Sequence, residues 1–344
     1  MTTAVETEVL VAGGGPVGLA TAIEARLAGL DVVVVEPREG VIDKACGEGL
    51  MPGAMPALER LGVAPAGFPL IGIDYRDGRR SARHRFTGGH ALGVRRTTLH
   101  AALRDRALDL GVRTVSGRIT DVVQDADGVT ASGFRAAWLV GCDGLHSMVA
   151  RSVGLDLPEP AARRRWGQRV HFRLDPWTEF VEVHWTRHGE LYVTPTAEGL
   201  IGVSLLARRG VRFNEALADA PELAARVAVA PRATELRGAG PFRQNTKART
   251  TGRVLLAGDA SGYVDALTAE GIRIGLDQAR AAVAAIRAGD LAGYEKDWDE
   301  VTRDFRQLTG TLVRLAMSPL RGAIVPISVA LPRLYGNAVE RIAR

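Results

Sequence analysis

The hydrophobic pattern is clearest near the N-terminus, where two apolar runs flank an amphipathic segment. Residues 7–12 are apolar and rich in β-branched side chains, which predicts a buried strand. Apolar side chains then recur every four residues from Leu19 to Leu27, which predicts a helix. Residues 31–35 form a second apolar run that ends in Glu36. The pattern therefore predicts a strand–helix–strand unit at the start of the chain.

Farther along the chain, helical and strand periods alternate. Alternating apolar and polar positions between residues 168 and 206 predict an antiparallel sheet. Helical spacing predicts helices over 97–110, 271–288 and 290–317, and residues 253–257 are predicted as another buried strand. The chain is therefore expected to combine a parallel α/β half with a separate antiparallel sheet.

Composition narrows the class of protein. The net charge is +5, and the basic side chains are mostly arginines in short clusters such as residues 163–165. Because no basic run alternates with aromatic residues, we interpret these clusters as solvated faces and expect no nucleic-acid partner. Two cysteines, Cys46 and Cys142, and the lack of a signal peptide predict a reduced, cytoplasmic protein. No run of about 18 charge-free apolar residues occurs, so no transmembrane segment is expected.

The first predicted strand ends in a glycine-rich turn, GGGPVG over residues 13–18, with the spacing G-x-G-x-x-G. In a strand–turn–helix–strand unit, such glycines allow a tight turn, close backbone approach to a pyrophosphate and close helix packing. The helix N-terminus offers N–H groups to the anion, and an acid after the second strand accepts hydrogen bonds from a ribose hydroxyl. The sequence therefore predicts that a dinucleotide binds by its adenosine end. The predicted cofactor-binding residues of this unit are Gly13, Gly15, Pro16, Gly18 and Glu36.

Two later motifs extend the predicted cofactor site. Asp143-Gly144 follows an apolar run, and Gly258-Asp259 follows the strand predicted over 253–257. Each motif places an acid and a glycine at the carboxyl edge of a sheet, where ligands of doubly wound folds bind. We expect the Asp259 carboxylate to hold the ribityl hydroxyls of a flavin. The helix that starts near Gly271 is expected to present its N–H groups to the flavin ring.

The three ordered motifs together resemble those of the FAD-dependent aromatic hydroxylases, which are single-component flavoprotein monooxygenases. They also resemble the sister branch of geranylgeranyl-reductase-like flavoproteins. The resemblance covers residues 5 to about 290. It implies FAD as cofactor and NAD(P)H as co-substrate, with Asp143 and Gly144 linked to the binding of both. The stretch VRRTTLHAAL matches the family's arginine-x-x-leucine helix start and implies that Arg96 lies near FAD.

The resemblance also implies the fold and its division into domains. The fold class is α/β, with a Rossmann-type FAD-binding domain, an inserted antiparallel β-sheet substrate domain and a C-terminal helical segment. The expected ranges are 1–72, 93–160 and 247–288 for the FAD-binding domain, 73–92 and 161–246 for the substrate domain, and 289–344 for the C-terminal segment. The helix over 290–317 is expected to pack on the FAD-binding domain, with coiled-coil dimerisation as the alternative. For the apolar tail over 324–331, we favour ordinary packing over closing the cavity or touching a membrane surface.

The implied reaction has two enzymatic alternatives. The hydroxylases imply a monooxygenase that uses O2 and NAD(P)H to hydroxylate a phenolic or polyketide-type small molecule through a flavin C4a-hydroperoxide. However, Asp265 and Ala266 stand where many hydroxylases carry two prolines, and Arg273 stands at an asparagine position. The segment Lys44 to Leu50, KACGEGL, instead resembles the reductase-like branch, which implies an ene-reductase acting on isoprenoid double bonds. A non-enzymatic flavin-binding sensor is the third hypothesis.

Several single residues are candidates for the chemistry. Tyr192, Glu270 and Cys46 are the candidate catalytic residues, each expected near the reacting ring or the substrate. The alternatives are that Tyr192 only packs, that Glu270 is a helix-start acid, and that Cys46 fills a tight Cys-Gly turn. Glu48 is interpreted as a solvent-facing loop carboxylate, and His171 as a hydrogen-bonded sheet residue. No spacing of histidines, cysteines and carboxylates indicates a metal site. The expected partners are a small-molecule substrate, a lipophilic one among the alternatives, and O2, for a protein that is a monomer or a homodimer.

Overall fold

The structure, a computed structural model that describes residues 5–158 and 164–344, contains two large β-sheets. Strands and helices are numbered here in chain order. The strands of the first sheet are β1 (Val5–Ala12), β2 (Val32–Glu36), β8 (Arg113–Ser116), β9 (Val122–Gln124), β10 (Val129–Ala131), β11 (Phe134–Gly141), β19 (Thr250–Thr251) and β20 (Val254–Leu256). Its centre is parallel, in the order β20-β11-β1-β2-β8. The β1 and β2 runs pair through Val9 to Ala12, as the apolar pattern predicts.

The second sheet has seven strands in the order β17-β13-β16-β15-β14-β5-β6. They are β5 (Gly72–Arg76), β6 (Ser81–Arg85), β13 (Arg165–Arg173), β14 (Phe180–Trp185), β15 (Gly189–Ala197), β16 (Leu200–Arg208) and β17 (Arg237–Phe242). The predicted antiparallel pairing is correct except between β14 and β5, which run parallel. The β5–β6 hairpin enters from a distant part of the chain, so no tight turn forces it to run antiparallel to β14.

Short strands and helices complete the fold. Two small sheets are formed by β3 (Gly49–Leu50), β4 (Phe68–Leu70) and β7 (Ala91–Gly93), and by β12 (Asp156–Leu157) and β18 (Asn245–Thr246). The α-helices are α1 (Pro16–Leu27), α2 (Met55–Leu61), α3 (Arg96–Asp109), α4 (Met148–Ser152), α5 (Phe213–Ala218), α6 (Pro221–Ala228), α7 (Gly271–Ala288), α8 (Leu291–Ala316), α9 (Ile324–Ala330) and α10 (Pro332–Ala343). The three long helices predicted from periodicity are confirmed to within one residue at each end.

Each large sheet has an apolar core on both of its faces. Helices α1, α3 and α7 cover one face of the first sheet, and Tyr294 and Trp298 of α8 are buried in the same core. The prediction that α8 packs on this half of the molecule is therefore confirmed. Helices α5 and α6 cover one face of the second sheet, while α9 and α10 pack against the other. The C-terminal segment thus returns to the second sheet, where the Tyr335 hydroxyl donates to the carbonyl oxygen of Ile73 at 3.0 Å.

A buried ionic cluster corrects one expectation from composition. Arg165 was interpreted as part of a solvated face, but it is only 2% exposed and pairs with Glu190 and Asp265. Arg321, next to α9, reaches the same Glu190 carboxylate at 2.8 Å. A charge this deeply buried is tolerated only with partners of opposite sign, and these two carboxylates come from distant segments of the chain. Arg163, in the same sequence cluster, lies outside the described residues.

The packing of α1 against α7 gives a testable prediction for the fold. A Cβ added at Gly275 of α7 would lie 2.3 Å from Cγ2 of Val17, whereas one added at Gly310 of α8 would have no neighbour within 4 Å. We expect Gly275→Ala to lower the free energy of unfolding by about 1–3 kcal/mol through overpacking. We expect Gly310→Ala to raise it by about 0.5–1 kcal/mol through helix propensity. Chemical denaturation of both variants measures these changes, and equal effects would contradict close α1–α7 packing.

Candidate active site

One cavity of about 650 Å³ lies between the carboxyl edge of the first sheet and the second sheet. It brings together most of the residues predicted from the sequence. Those that line it are Gly13, Gly15, Pro16, Glu36, Cys46, Arg96, Asp143, Gly144, Tyr192, Asp259 and Gly271. Gly18 and Glu270 do not line it. The cavity is therefore formed by three motifs that are far apart in the sequence and by the loop that carries Cys46.

The turn after β1 explains why Gly18 is needed although it stays outside the cavity. A Cβ on Gly18 would lie 1.8 Å from the carbonyl oxygen of Gly13, so only glycine lets α1 start this close to the turn. Gly13 itself has a φ of 105°, in the region that favours glycine. In contrast, a Cβ on Gly15 would have no neighbour within 4 Å and would project into open space. Gly18 thus shapes the turn, and Gly15 leaves room beside it.

Glu36 is held in place by the same turn. Its carboxylate accepts hydrogen bonds from the backbone N–H of Gly14 at 2.7 Å and from Nε of Arg38 at 2.7 Å. Burial raises the pKa of Glu36, but the hydrogen bonds from Arg38 and Gly14 outweigh it and hold the pKa below its ordinary value. Glu36 is therefore an anionic acceptor at the adenosine end of the predicted site.

His100 belongs to this site and was missed by the sequence analysis. It lies on α3, and burial lowers its pKa, so it is neutral at pH 7. Its Nδ1 accepts from the N–H of Ile42, and its Nε2 donates to the carbonyl oxygen of Gly14 at 2.9 Å. His100 thus holds the backbone of the glycine turn in place through the Gly14 carbonyl. The only signal for it was its position four residues after Arg96 on the predicted helix.

Asp143 binds the first turn of a helix at the edge of the cavity. Its carboxylate accepts hydrogen bonds from the Ser147 hydroxyl and from the backbone N–H groups of Met148 and Val149, at the start of α4. The N-cap of α4 is Ser147, whose hydroxyl accepts from the N–H of Ala150, and the Asp143 carboxylate accepts from two further N–H groups of the first turn. The carboxylate that the sequence associated with cofactor binding therefore also has a local structural role.

Asp259 lines the cavity from the end of β20, the strand next to the one that precedes Asp143. It lies in a 3₁₀ turn directly after β20, and Oδ2 of Asp259 is 3.8 Å from Nζ of Lys44. The backbone N–H of Gly258 donates to the Gln278 side chain at 2.6 Å, which anchors this turn to α7. Asp259 therefore presents a partly exposed carboxylate to the cavity from a rigid backbone.

Glu48 was interpreted as solvent-facing, and this interpretation is wrong. Its side chain is 4% exposed because the loop folds under the second sheet. Oε1 accepts from the backbone N–H of Arg96 at 2.9 Å, and Oε2 accepts from Nε2 of His171 at 2.6 Å. His171 is thus a hydrogen-bonded sheet residue, as predicted. The Cys46 carbonyl accepts from the Ser204 hydroxyl at 3.1 Å, so the Cys46 loop is fastened to the same sheet.

The remaining two catalytic candidates differ in position. Tyr192 lines the cavity from β15, and its hydroxyl donates to the carbonyl oxygen of Leu267 at 2.9 Å. Burial raises the pKa of Tyr192 well above its ordinary value, so it stays a neutral donor.

Glu270 is not brought to the cavity, because it stands at the start of α7 and its carboxylate turns to the Arg273 guanidinium at 3.2 Å. Burial raises the pKa of Glu270 to about 7, despite Arg273.

The geometry fits FAD. The open space beside Gly15 suits a pyrophosphate, and α1 starts there with no side-chain cap and no acid in its first turn. Helix α7 likewise starts at the cavity through Gly271, without a side-chain cap. Glu36 and Asp259 offer carboxylates at the two ends, where ribose and ribityl hydroxyls would bind. Within residues 5–158 and 164–344, no group of three or more His, Cys, Asp or Glu side chains could hold a metal ion.

Comparison with known proteins agrees with this geometry. The model of a family described as "FAD binding domain" matches residues 6–288. The chain belongs to this family. It is an FAD-dependent oxidoreductase of the superfamily that contains the aromatic hydroxylases, as the motifs predicted. The family assignment also confirms FAD as the cofactor and the α/β fold class.

Three curated relatives show the range of the superfamily. The chain is 28% identical to a menaquinone reductase of Mycolicibacterium smegmatis, over 86% of this chain and 80% of the relative. It is 30% identical to a dialkyldecalin synthase of Streptomyces rugosporus, over 79% of this chain and 63% of the relative. It is 28% identical to a 3-(3-hydroxy-phenyl)propionate/3-hydroxycinnamic acid hydroxylase of Mycobacterium avium, over 91% and 62%. The chain thus spans less than two thirds of the synthase and of the hydroxylase.

Solved structures show the same fold. A flavin-dependent brominase superposes with a TM-score of 0.81 at 18% identity, over 98% of this chain and 94% of its own. The p-nitrophenol 4-monooxygenase of Pseudomonas putida superposes with a TM-score of 0.76 at 22% identity, over 98% and 99%. Because both identities are below 25%, this similarity shows a common fold only.

The space beside Gly15 leads to a prediction for cofactor binding. In Gly15→Val the added Cβ has no neighbour within 4 Å, so we expect the apoprotein to fold with an unchanged melting temperature. The same side chain would fill the space for the pyrophosphate. We therefore expect FAD affinity to fall at least about a hundredfold, since hydrogen bonds to charged groups contribute about 1.5–3 kcal/mol each.

Flavin absorbance of the purified protein and titration of the apoprotein with FAD measure this effect. Gly88→Val is the matched control, because Gly88 also has open space around it but lies away from the cavity. We expect the control to stay yellow and to retain FAD, not FMN. Full FAD binding by Gly15→Val would contradict the placement of the pyrophosphate.

The raised pKa of Glu270 predicts a pH-dependent stability. The ordinary pKa is 4.5 and the folded-state pKa is about 7, so the folded protein holds a proton that the unfolded chain releases between these values. This contribution to the free energy of unfolding is present at low pH and is lost as the pH rises through about 7. Relative to wild type, Glu270→Gln should therefore gain stability between pH about 5 and about 8, by up to about 3 kcal/mol.

Urea denaturation at several pH values measures this gain. Glu300→Gln makes the same change at an exposed position of α8 and serves as the control. We expect the stability of the control relative to wild type not to change with pH. A constant difference between Glu270→Gln and wild type would mean that Glu270 titrates normally in the folded protein.

Proposed function

We propose that the protein is an NAD(P)H-consuming monooxygenase that hydroxylates a phenolic or polyketide-type small molecule. One observation carries the proposal: the cavity continues past the predicted FAD motifs to an inner end lined by apolar and aromatic side chains. These are Met51, Val181, Tyr192, Leu206 and Phe242. All five belong to the buried core of the second sheet. An aromatic ring fits such a pocket, which excludes water around it.

The chain's own residues would supply binding and orientation. Bound FAD, once reduced, would activate O2 and supply one oxygen atom to the substrate. Gly15 and the start of α1 would hold the pyrophosphate, Asp259 the ribityl chain and Glu36 the ribose. The N-terminus of α7, at Gly271, would place the positive end of its dipole against the ring and favour negative charge there.

At the inner end, Tyr192 would pack its ring against the substrate. Its hydroxyl is bonded to the Leu267 carbonyl, so the ring keeps one orientation. The same bond fixes the loop after Asp259, which contributes Tyr263 and Ala266 to the cavity wall. We propose that NAD(P)H reaches the cavity transiently near Asp143, because the described residues contain no second glycine-rich strand–turn–helix unit.

The ene-reductase remains the second candidate, and Cys46 is the observation that favours it. The Cys46 residue lines the cavity, where its thiol could donate a proton to one carbon of a double bond while the neighbouring carbon receives a hydride from the reduced flavin. The menaquinone reductase of Mycolicibacterium smegmatis is also named as a reductase, and its alignment covers most of both chains. The third hypothesis from the sequence, a sensor that binds FAD without turnover, has no support from the three curated relatives, because each of them is an enzyme by name.

The fate of the electrons distinguishes these candidates. Phenols, polyketide aromatics and prenyl lipids would be screened with the FAD-loaded protein for NAD(P)H oxidation, and the best substrate would then be converted under O2 labelled with oxygen-18. We expect one heavy oxygen atom per product molecule and no product under anaerobic conditions. A saturated product without heavy oxygen, formed equally well without O2, would replace the monooxygenase by the ene-reductase. No NAD(P)H oxidation with any compound would favour the sensor.

A further inference from the structure

Exposed apolar side chains are concentrated in the C-terminal segment. In the part of the chain that the structure describes, twelve large apolar side chains are exposed, and five of them lie within residues 320–334. We call these five the C-terminal apolar surface: Leu320, Ile327, Val329, Leu331 and Leu334, which are 44–64% exposed. Every residue from Val329 to Leu334 is exposed. Scattered apolar side chains on a surface are normal, but a group of this size indicates an interaction site.

The C-terminal apolar surface is held outward by packing on its other side. Ile324 and Val325 of α9, and Tyr335 and Val339 of α10, are buried in the core that also contains the inner wall of the cavity. These contacts fix both helices against the second sheet. The outward side chains therefore cannot be covered by turning α9 or α10 over, because the inward face would then be exposed instead.

The charge of this segment indicates the partner. From Phe305 to Val339 the chain contains four arginines and no acidic residue. Arg321 pairs inward with Glu190, but Arg333 is exposed and has no ion pair with any described residue. Arg314 bonds only within its own helix, to Gly310 and Thr311. Apolar side chains accompanied by cations match a bilayer surface, which offers acyl chains and anionic headgroups together.

The helices that lead to this surface are apolar in composition, although most apolar side chains of α8 belong to the cores of the protein. No single described helix is long and apolar enough to cross a bilayer, but Leu291–Ala316 and Pro319–Ala330 together meet the length and composition of a span. The two parts are bent by 100° at the break between them. A second copy of the chain is a poorer partner. In a two-fold interface the surface would meet itself, and its arginines would face arginines without an acid between them.

We propose that the C-terminal apolar surface binds an anionic membrane surface, with its leucines among the acyl chains and Arg314 and Arg333 at the headgroups. Co-sedimentation with lipid vesicles tests this with the FAD-loaded full-length protein. We expect binding to vesicles of equal parts phosphatidylglycerol and phosphatidylcholine, weaker binding to phosphatidylcholine alone, and release by salt. The measurement does not depend on turnover, so it stands apart from the proposed reaction.

Matched variants locate the contact. Leu331→Glu combined with Leu334→Glu should weaken vesicle binding at least about tenfold, because two apolar side chains become charged. Leu27→Glu combined with Leu108→Glu makes the same change at two exposed leucines elsewhere, and Val229→Glu makes a single change at an 83% exposed valine; neither should affect vesicle binding. Arg314→Gln combined with Arg333→Gln should reduce the preference for anionic vesicles. Since all these positions are exposed, unchanged melting temperatures are expected to show that the variants fold.

Three results would overturn the proposal. The first is that wild type stays in the supernatant with both vesicle types. The second is that Leu331→Glu combined with Leu334→Glu binds as tightly as the two control variants. The third is a dimer by light scattering that Leu331→Glu combined with Leu334→Glu converts to monomer, without vesicle binding by wild type, which would assign the surface to a second copy of the chain.

Discussion

The buried carboxylate of Glu48 joins the two sides of the cavity, and the rest of the site depends on it. One oxygen accepts the first N–H of α3, which packs on the first sheet, and the other accepts from His171 of the second sheet. Glu48 also has a φ of 61°, which costs energy for a residue with a Cβ. Such a backbone conformation persists only where several surrounding contacts hold it in place. Removing the carboxylate would leave buried N–H groups of Arg96 and His171 without an acceptor, which typically costs about 1–3 kcal/mol for each group.

That junction sets where the chemistry can take place. With Glu48 fixed, the Cys46 loop is fastened to the second sheet through Ser204, and Thr194 donates to the Gly47 carbonyl at 2.8 Å. The loop then lies near the turn that carries Asp259, where Nζ of Lys44 is 3.8 Å from Oδ2 of Asp259. The cofactor motifs of the first sheet thus open onto a pocket whose far wall belongs to the second. The polar and apolar ends of one cavity are supplied by different parts of the fold.

The C-terminal helices connect this pocket to the protein surface. Their inward side chains share a core with Val181, Tyr192 and Phe242, and their outward side chains form the C-terminal apolar surface. The Arg165–Glu190–Arg321 cluster ties the same region to the second sheet, with opposite charges neutralising one another in a dry interior. An outer surface suited to lipid and an inner pocket suited to an aromatic molecule are therefore two faces of one packed layer.

The sequence by itself determined whatever depends on neighbouring residues. The turn at residues 13–18, the strands around it, the long helices and the FAD family follow from local spacing, because a glycine turn and a helical period are encoded within a few consecutive positions. Only the tertiary structure decided the partners of isolated polar residues. Glu48 was expected in solvent, Arg165 on a solvated face, and His100 was not considered. Each is buried with partners that lie 25 or more residues away in the chain, and pairing over such distances is set by packing rather than by local pattern.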